Sequence, residues 1–105
     1  VEMDVLKRLP VGIQSFEKLR KGAKLMGFYV KAEYHTSSGR IDMVLQTDDY
    51  TYVMEFKLDG TAEDALAQIN DKGYTLPFEN GDRKLFKVGV NFSKETRNIE
   101  KWIVM

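Results

Sequence analysis

Two arms of alternating sequence that can fold back on each other across a pair of aspartates constrain this chain more than anything else in it. The first arm is Gly39-Arg40-Ile41-Asp42-Met43-Val44-Leu45-Gln46, and the second is Thr51-Tyr52-Val53-Met54-Glu55-Phe56-Lys57-Leu58. Both repeat with period two and are rich in Val, Ile, Leu, Met and aromatic residues, so each reads as a β-strand. With Asp48-Asp49 as a two-residue loop, Thr47 faces Tyr50, Asp42 faces Glu55, and Arg40 faces Lys57. Directly opposed side chains in an antiparallel pair have Cβ atoms about 4.5–5.5 Å apart, and like charges there are destabilising. Two opposed carboxylates therefore want a cation between them. Lys57 lies one pleat from Glu55 on the same face and is the nearest candidate.

The remaining chain supplies what such a hairpin needs on either side. Val1 to Leu9 reads as a helical turn or arm, stopped by Pro10 and Gly12. Ile13, Phe16, Leu19, Ala23 and Met26 recur at helical spacing, Gly27 is the stop, and Lys18, Arg20, Lys21 and Lys24 make the opposite face basic. Phe28 to Tyr34 reads as a strand, and His35-Thr36-Ser37-Ser38-Gly39 as a polar connection. After the hairpin, Asp59-Gly60 breaks the strand and Thr61 caps a second helix, with Asp64 in a capping-box-like position. Ala62, Ala65, Leu66 and Ile69 form its apolar stripe, small enough for close packing on a sheet, and Gly73 ends it. Pro77 and Asn80-Gly81-Asp82 mark a loop, Lys84 to Phe92 an apolar, central strand, and Ile99 to Met105 a last strand around Trp102. The order is α-β-β-β-α-β-β, an α/β fold with one mixed central sheet flanked by helices.

With 105 residues, the chain is expected to form a single domain, residues 1–105, near the small end of what one core supports. It starts at Val1, which suggests processing or a fragment of a longer protein. No apolar run nears the roughly 18–20 residues needed to cross a bilayer, so no membrane partner is expected and a cytoplasmic setting is. The absence of Cys excludes thiolate sites, so any metal must be held by oxygen or by His35, the one histidine. Net charge is zero, which argues against a protein that coats nucleic acid generally, but the charges are segregated. Residues 1–31 carry seven Lys/Arg against three Asp/Glu, residues 32–66 two against eight, and residues 67–105 seven against five. An acidic centre with basic margins suits a metal site flanked by phosphate contacts, and suits an ordinary mixed surface nearly as well.

Asp42 on one strand and Glu55-Phe56-Lys57 on the next resemble the Asp…(Asp/Glu)-X-Lys signature of the PD-(D/E)XK nuclease superfamily. The wider stretch GRIDMVLQTDDYTYVMEFKLDGTAEDALAQINDKGY is similar to nuclease-like domains found behind AAA-ATPase-like domains in Bacteroidetes-type bacterial proteins. The resemblance runs from about Leu25 to the C-terminus, and residues 1–24 depart from the pattern. It implies a restriction-endonuclease-like core and a site in which Asp42, Glu55 and the backbone carbonyl of Phe56 hold Mg²⁺ or Mn²⁺. Lys57 would orient the attacking water or steady the transition state. Gln68 matches a helical glutamine that faces such sites, and Arg40 is the candidate for contacting the DNA backbone. In the family an acid near the start of the first helix can assist the metal; Glu17 is the one candidate here, and it is not well placed for the role.

Each of these residues also has an ordinary reading. Glu-X-Lys is common on the solvent face of amphipathic strands, Gln68 could be an exposed helical side chain, and a lone His35 in a loop is seldom a ligand. Tyr74 reads as packing at the helix end, and Met26, Met43 and Met54 as core filler. The expectation is a Mg²⁺-dependent nuclease domain acting on DNA phosphodiester bonds, with a AAA-ATPase-like domain in the same full-length protein. The alternative is a catalytically inactive module that binds nucleic acid or a partner and is accessory to that ATPase. A domain this small leaves little surface for reading sequence, so target choice would fall to another domain or a second copy, as in a dimer.

Overall fold

The computed structural model of the chain describes residues 24–25, 27–95 and 99–105. Of the expected first helix only Lys24 and Leu25 are described, and both are helical; the rest of that helix, the arm from Val1 to Leu9, Glu17 and Met26 lie outside the described residues. Five strands form one sheet: β1 (Tyr29–Thr36), β2 (Gly39–Gln46), β3 (Tyr50–Leu58), β4 (Lys84–Phe92) and β5 (Ile99–Val104), side by side in that order. All neighbours are antiparallel except β3 and β4, which run parallel. A parallel pair needs a crossover, and helix α1 (Ala62–Asp71) with a short 3₁₀ turn (Leu76–Phe78) supplies it. The mixed α/β sheet is therefore as the sequence led one to expect. Two details differ: β1 continues through His35 to Thr36, so the β1–β2 connection is only Ser37-Ser38, and the 3₁₀ turn was not foreseen.

Local chemistry explains the helix. Thr61 is extended (φ −138°, ψ 152°) and its side chain accepts the Asp64 N–H at 2.9 Å. At the other end Gly73 takes φ 61°, the Tyr74 N–H reaches Ile69 O, and the Gly73 N–H reaches Asn70 O, a Schellman-type stop. Ala62, Ala65, Leu66 and Ile69 are the buried face. The helix comes down onto β4 at Gly89, where a Cβ would sit 2.3 Å from the Ala62 carbonyl oxygen, so nothing larger than glycine fits.

The sheet separates two cores. On the helix side Ile41, Val44 and Val53 pack with Leu66, Ile69 and Tyr74. On the other side Met43, Leu45, Tyr52, Met54, Phe86, Val88, Val90 and Phe92 pack together. Strict alternation would place Ile41 with Met43 and Leu45, yet Ile41 lies in the opposite core. The same reversal occurs in β1, where Val30 joins one core and Tyr34 the other. Glu33 and Asp42 sit where the β1–β2 pairing skips from Ala32–Met43 to Tyr34–Ile41, and Glu33 has φ 53°. A non-glycine residue in that region costs on the order of 1–3 kcal/mol. The hairpin therefore turns over at Asp42 itself, one of the two acids of interest.

Candidate active site

Near its turn the β2–β3 hairpin has the register expected from Asp48-Asp49. The Thr47 N–H bonds Tyr50 O at 2.9 Å, and Gln46–Thr51, Leu45–Tyr52, Val44–Val53 and Met43–Met54 are paired. The regular ladder stops there. At the next opposed position, Asp42 and Glu55, backbone pairing gives way to a side chain: Asp42 Oδ2 accepts the Phe56 N–H at 2.9 Å. The carboxylate thus serves as acceptor for a backbone amide at the point where the regular ladder stops. The face reversal in β2 and the opened ladder in β3 coincide, and the two acids sit at the gap.

Glu55 is 2 % exposed. Its Oε2 accepts a hydrogen bond from Gln68 Nε2 at 3.1 Å, and Gln68 Oε1 in turn accepts one from Lys57 Nζ at 2.5 Å. Gln68 can do this because α1 lies across the sheet with that residue beside its buried stripe. Lys57 was expected on the same face as Glu55, one pleat along. The amide of Gln68 bridges Glu55 and Lys57, and among the described residues no ion pair joins Lys57 to either acid. A side-chain amide has a donor and an acceptor end, so it can link an acid and an ammonium that do not touch.

The electrostatics follow from this packing. Burial, and next the hydrogen bond and charge of neighbouring Asp42, push the Glu55 carboxyl from 4.5 to about 9; the Lys57 charge pulls the other way and is outweighed. The packing therefore disfavours the charged form of Glu55. An exposed carboxylate behaves in the opposite way: Glu63 bonds Lys101 Nζ at 2.8 Å, and that bond lowers its pKa.

Asp42, Glu55, Lys57 and Gln68 come together in one linked cluster. Arg40 does not join it: its Nη1 lies 3.4 Å from Glu33 Oε1, both side chains more than half exposed. The expected Arg40–Lys57 opposition is absent from the paired positions, because the ladder ends before it. His35 is exposed on β1, paired with Arg40 in register, and Tyr74 is buried in the helix-side core. Met43 and Met54 are fully buried on the other face. Glu33, Gly89 and Asn91 carry no motif that marks them in the sequence as part of a site. Of these only Asn91 left a trace, as a polar residue inside the apolar run Val88-Gly89-Val90-Asn91-Phe92.

Residues 19–102 match the model of the PD-(D/E)XK nuclease superfamily. The chain belongs to that superfamily. An uncharacterized protein encoded in the vnfD 5′ region of Azotobacter chroococcum mcd 1 is 35 % identical over 81 residues, which cover 75 % of this chain and 16 % of that relative. The chain thus spans about a sixth of the length of the protein it resembles. No solved structure matches it. Superfamily membership accounts for the mixed sheet with a crossover helix, and points to nuclease-type function on a nucleic-acid substrate. No helix among the described residues is long and apolar enough to cross a membrane.

The donor set is compatible with the divalent cation such nucleases typically use. Among the described residues no third His, Cys, Asp or Glu joins Asp42 and Glu55. Mg²⁺ asks for little more than this pair, since it binds through one or two carboxylates and fills the rest of its shell with water and substrate phosphate. A buried carboxyl whose charge is suppressed by a neighbouring carboxylate is also the arrangement that a cation would relieve.

Proposed function

We propose that this chain is a Mg²⁺- or Mn²⁺-dependent nuclease domain that hydrolyses DNA phosphodiester bonds. The observation that carries the reading is the cluster itself: two carboxylates at the opened end of a hairpin, linked through Gln68 to the lysine of Glu-X-Lys. Asp42, Glu55 and the Phe56 carbonyl would hold the ion. When bound, it would polarise the phosphate and lower the pKa of a water. Lys57 donates to the attacking water or to a phosphate oxygen as negative charge grows there. Gln68 keeps the flexible lysine and the buried Glu55 in a constant relation, and Asp42 secures the backbone at Phe56. The protein around the domain would include an AAA-ATPase-like domain; the much greater length of the Azotobacter relative is in keeping with that.

The decisive experiment is cleavage of single- and double-stranded DNA by the purified chain in Mg²⁺ and in Mn²⁺, with chelator as the blank. Cuts that vanish with chelator are expected. A chain inert on both substrates in both metals replaces this reading with that of a non-catalytic binding module.

A further inference from the structure

Lysine's ammonium stands on a long, flexible stem, so holding it at a fixed point needs the stem confined as well as the tip bonded. The tip of Lys57 is bonded to Gln68. Gly60 lies alongside the root of its stem: a methyl group there would lie 3.2 Å from Lys57 Cβ and 3.6 Å from Cγ. Gly60 is held in turn by Asn91: its N–H donates to Asn91 Oδ1 at 2.9 Å. Asn91 is the β4 neighbour of Lys57 in the parallel ladder and is 3 % exposed. Its other end donates from Nδ2 to Glu100 Oε1 at 3.3 Å, which sets the orientation of the amide. Burying an amide in an apolar strand is costly unless both ends are bonded, and here both are.

The β3–α1 turn does not need this bond to be anchored. Asp59, at φ 52°, already donates its N–H to Phe92 O at 2.9 Å and accepts the Lys94 N–H at Oδ1 at 2.8 Å. The additional anchor falls on the residue that rests against the lysine. We infer that Asn91 is a positioning residue for Lys57: it pins the Gly60 backbone over the lysine stem, so that the ammonium stays on Gln68 beside Glu55. Its kinetic consequence rests on the nuclease reading, whereas its structural consequence does not.

The test uses the 105-residue chain and two readouts. The first is NMR relaxation of the Lys57 ε-methylene, assigned by its loss in Lys57→Arg; the second is kcat and KM for DNA cleavage. Asn91→Leu should leave the ε-methylene of Lys57 motionally averaged. It should also lower kcat about tenfold or more, with KM within about twofold, since a misplaced catalytic group costs rate more than binding. Asn91→Asp combined with Glu100→Gln keeps an acceptor for Gly60 and reverses the second bond, and should restore both readouts. A purely structural role would lower the melting temperature of Asn91→Leu without loosening Lys57, and an ordered Lys57 in that variant overturns the inference. If Asn91→Leu does not fold, Gly60→Ala probes the same contact from the other side; an undisturbed Lys57 there overturns it equally. Wild-type protein that cuts no DNA removes the nuclease reading, and the relaxation measurement still decides the positioning.

Discussion

The two ends of the β2–β3 hairpin are built from the same kind of sequence and do different things. From Gln46–Thr51 to Met43–Met54 the ladder is regular, neighbouring residues alternate between two cores, and every paired side chain lies where period two puts it. One step further the ladder opens, Ile41 changes core, and a carboxylate accepts the amide at Phe56. The closed end is held by apolar burial, which is non-directional and tolerant of conservative exchange. The open end is held by a few directed polar bonds around a buried acid, which specify a geometry at a cost in stability. Substitutions should accordingly cost function at one end and stability at the other.

The largest effect is expected at the open end. Asp42→Ala, Glu55→Ala and Lys57→Ala should each reduce cleavage by about 10³-fold or more, and double variants should be hardly worse than singles, because the residues act as one unit. Initial rates in Mg²⁺ for the three singles and their pairs check this; full activity in Glu55→Ala would sink the mechanism. At the closed end the contrast should invert. Leu45 is fully buried, and Leu45→Ala should cost about 2–5 kcal/mol in a denaturant titration while leaving kcat of the folded fraction near the wild-type value. Loss of kcat in proportion to stability would mean that the two ends are not separable.

Metal should act on the open end alone. For an affinity near ~1 mM, ~10 mM Mg²⁺ contributes about 1.4 kcal/mol by mass action, a rise in melting temperature of roughly 5–10 °C for a domain this size. Asp42→Asn should remove most of that rise. A response to Mg²⁺ unchanged in Asp42→Asn places the ion elsewhere.

The pH dependence has a definite sign. Glu55 has its pKa raised in the folded state, to about 9, so the native protein binds more protons than the unfolded chain between about 4.5 and 9. Its contribution to stability is therefore fully present below the unfolded value and is lost progressively as pH rises through the folded one. Melting curves with chelator across that window should decline more steeply for wild type than for Glu55→Gln, which cannot ionise. Saturating Mg²⁺ should flatten or reverse the wild-type slope, because the cation favours both carboxylates ionised. Parallel profiles for the two proteins under chelator would show that Glu55 is not held neutral by its surroundings. The smallest effect belongs to the exposed pair Glu63–Lys101: Glu63→Gln should leave both melting and cleavage unchanged within error.

Much of the closed end was legible in the sequence, since alternating apolar residues on either side of a two-residue acidic loop admit few registers in which both faces of the sheet are satisfied. The capped helix was legible for a similar reason: Thr61, Asp64 and the stripe from Ala62 to Ile69 act through bonds and contacts within a few residues of one another. Asp42, Glu55 and Lys57 could be named because a one-strand separation and a Glu-X-Lys triplet are local patterns. Only the tertiary structure decided how the open end is arranged. The left-handed backbone at Glu33, a residue with no preference for it, turns the hairpin over, moves Ile41 between cores and leaves Arg40 with Glu33. Gly89 is required by a helix whose Ala62 is 27 residues away, and Asn91 by an amide 31 residues away. Periodicity carries information while the ladder is regular. Where it opens, each polar group is satisfied by whichever partner the packed elements bring within about 3 Å, and that choice is made in space rather than along the chain.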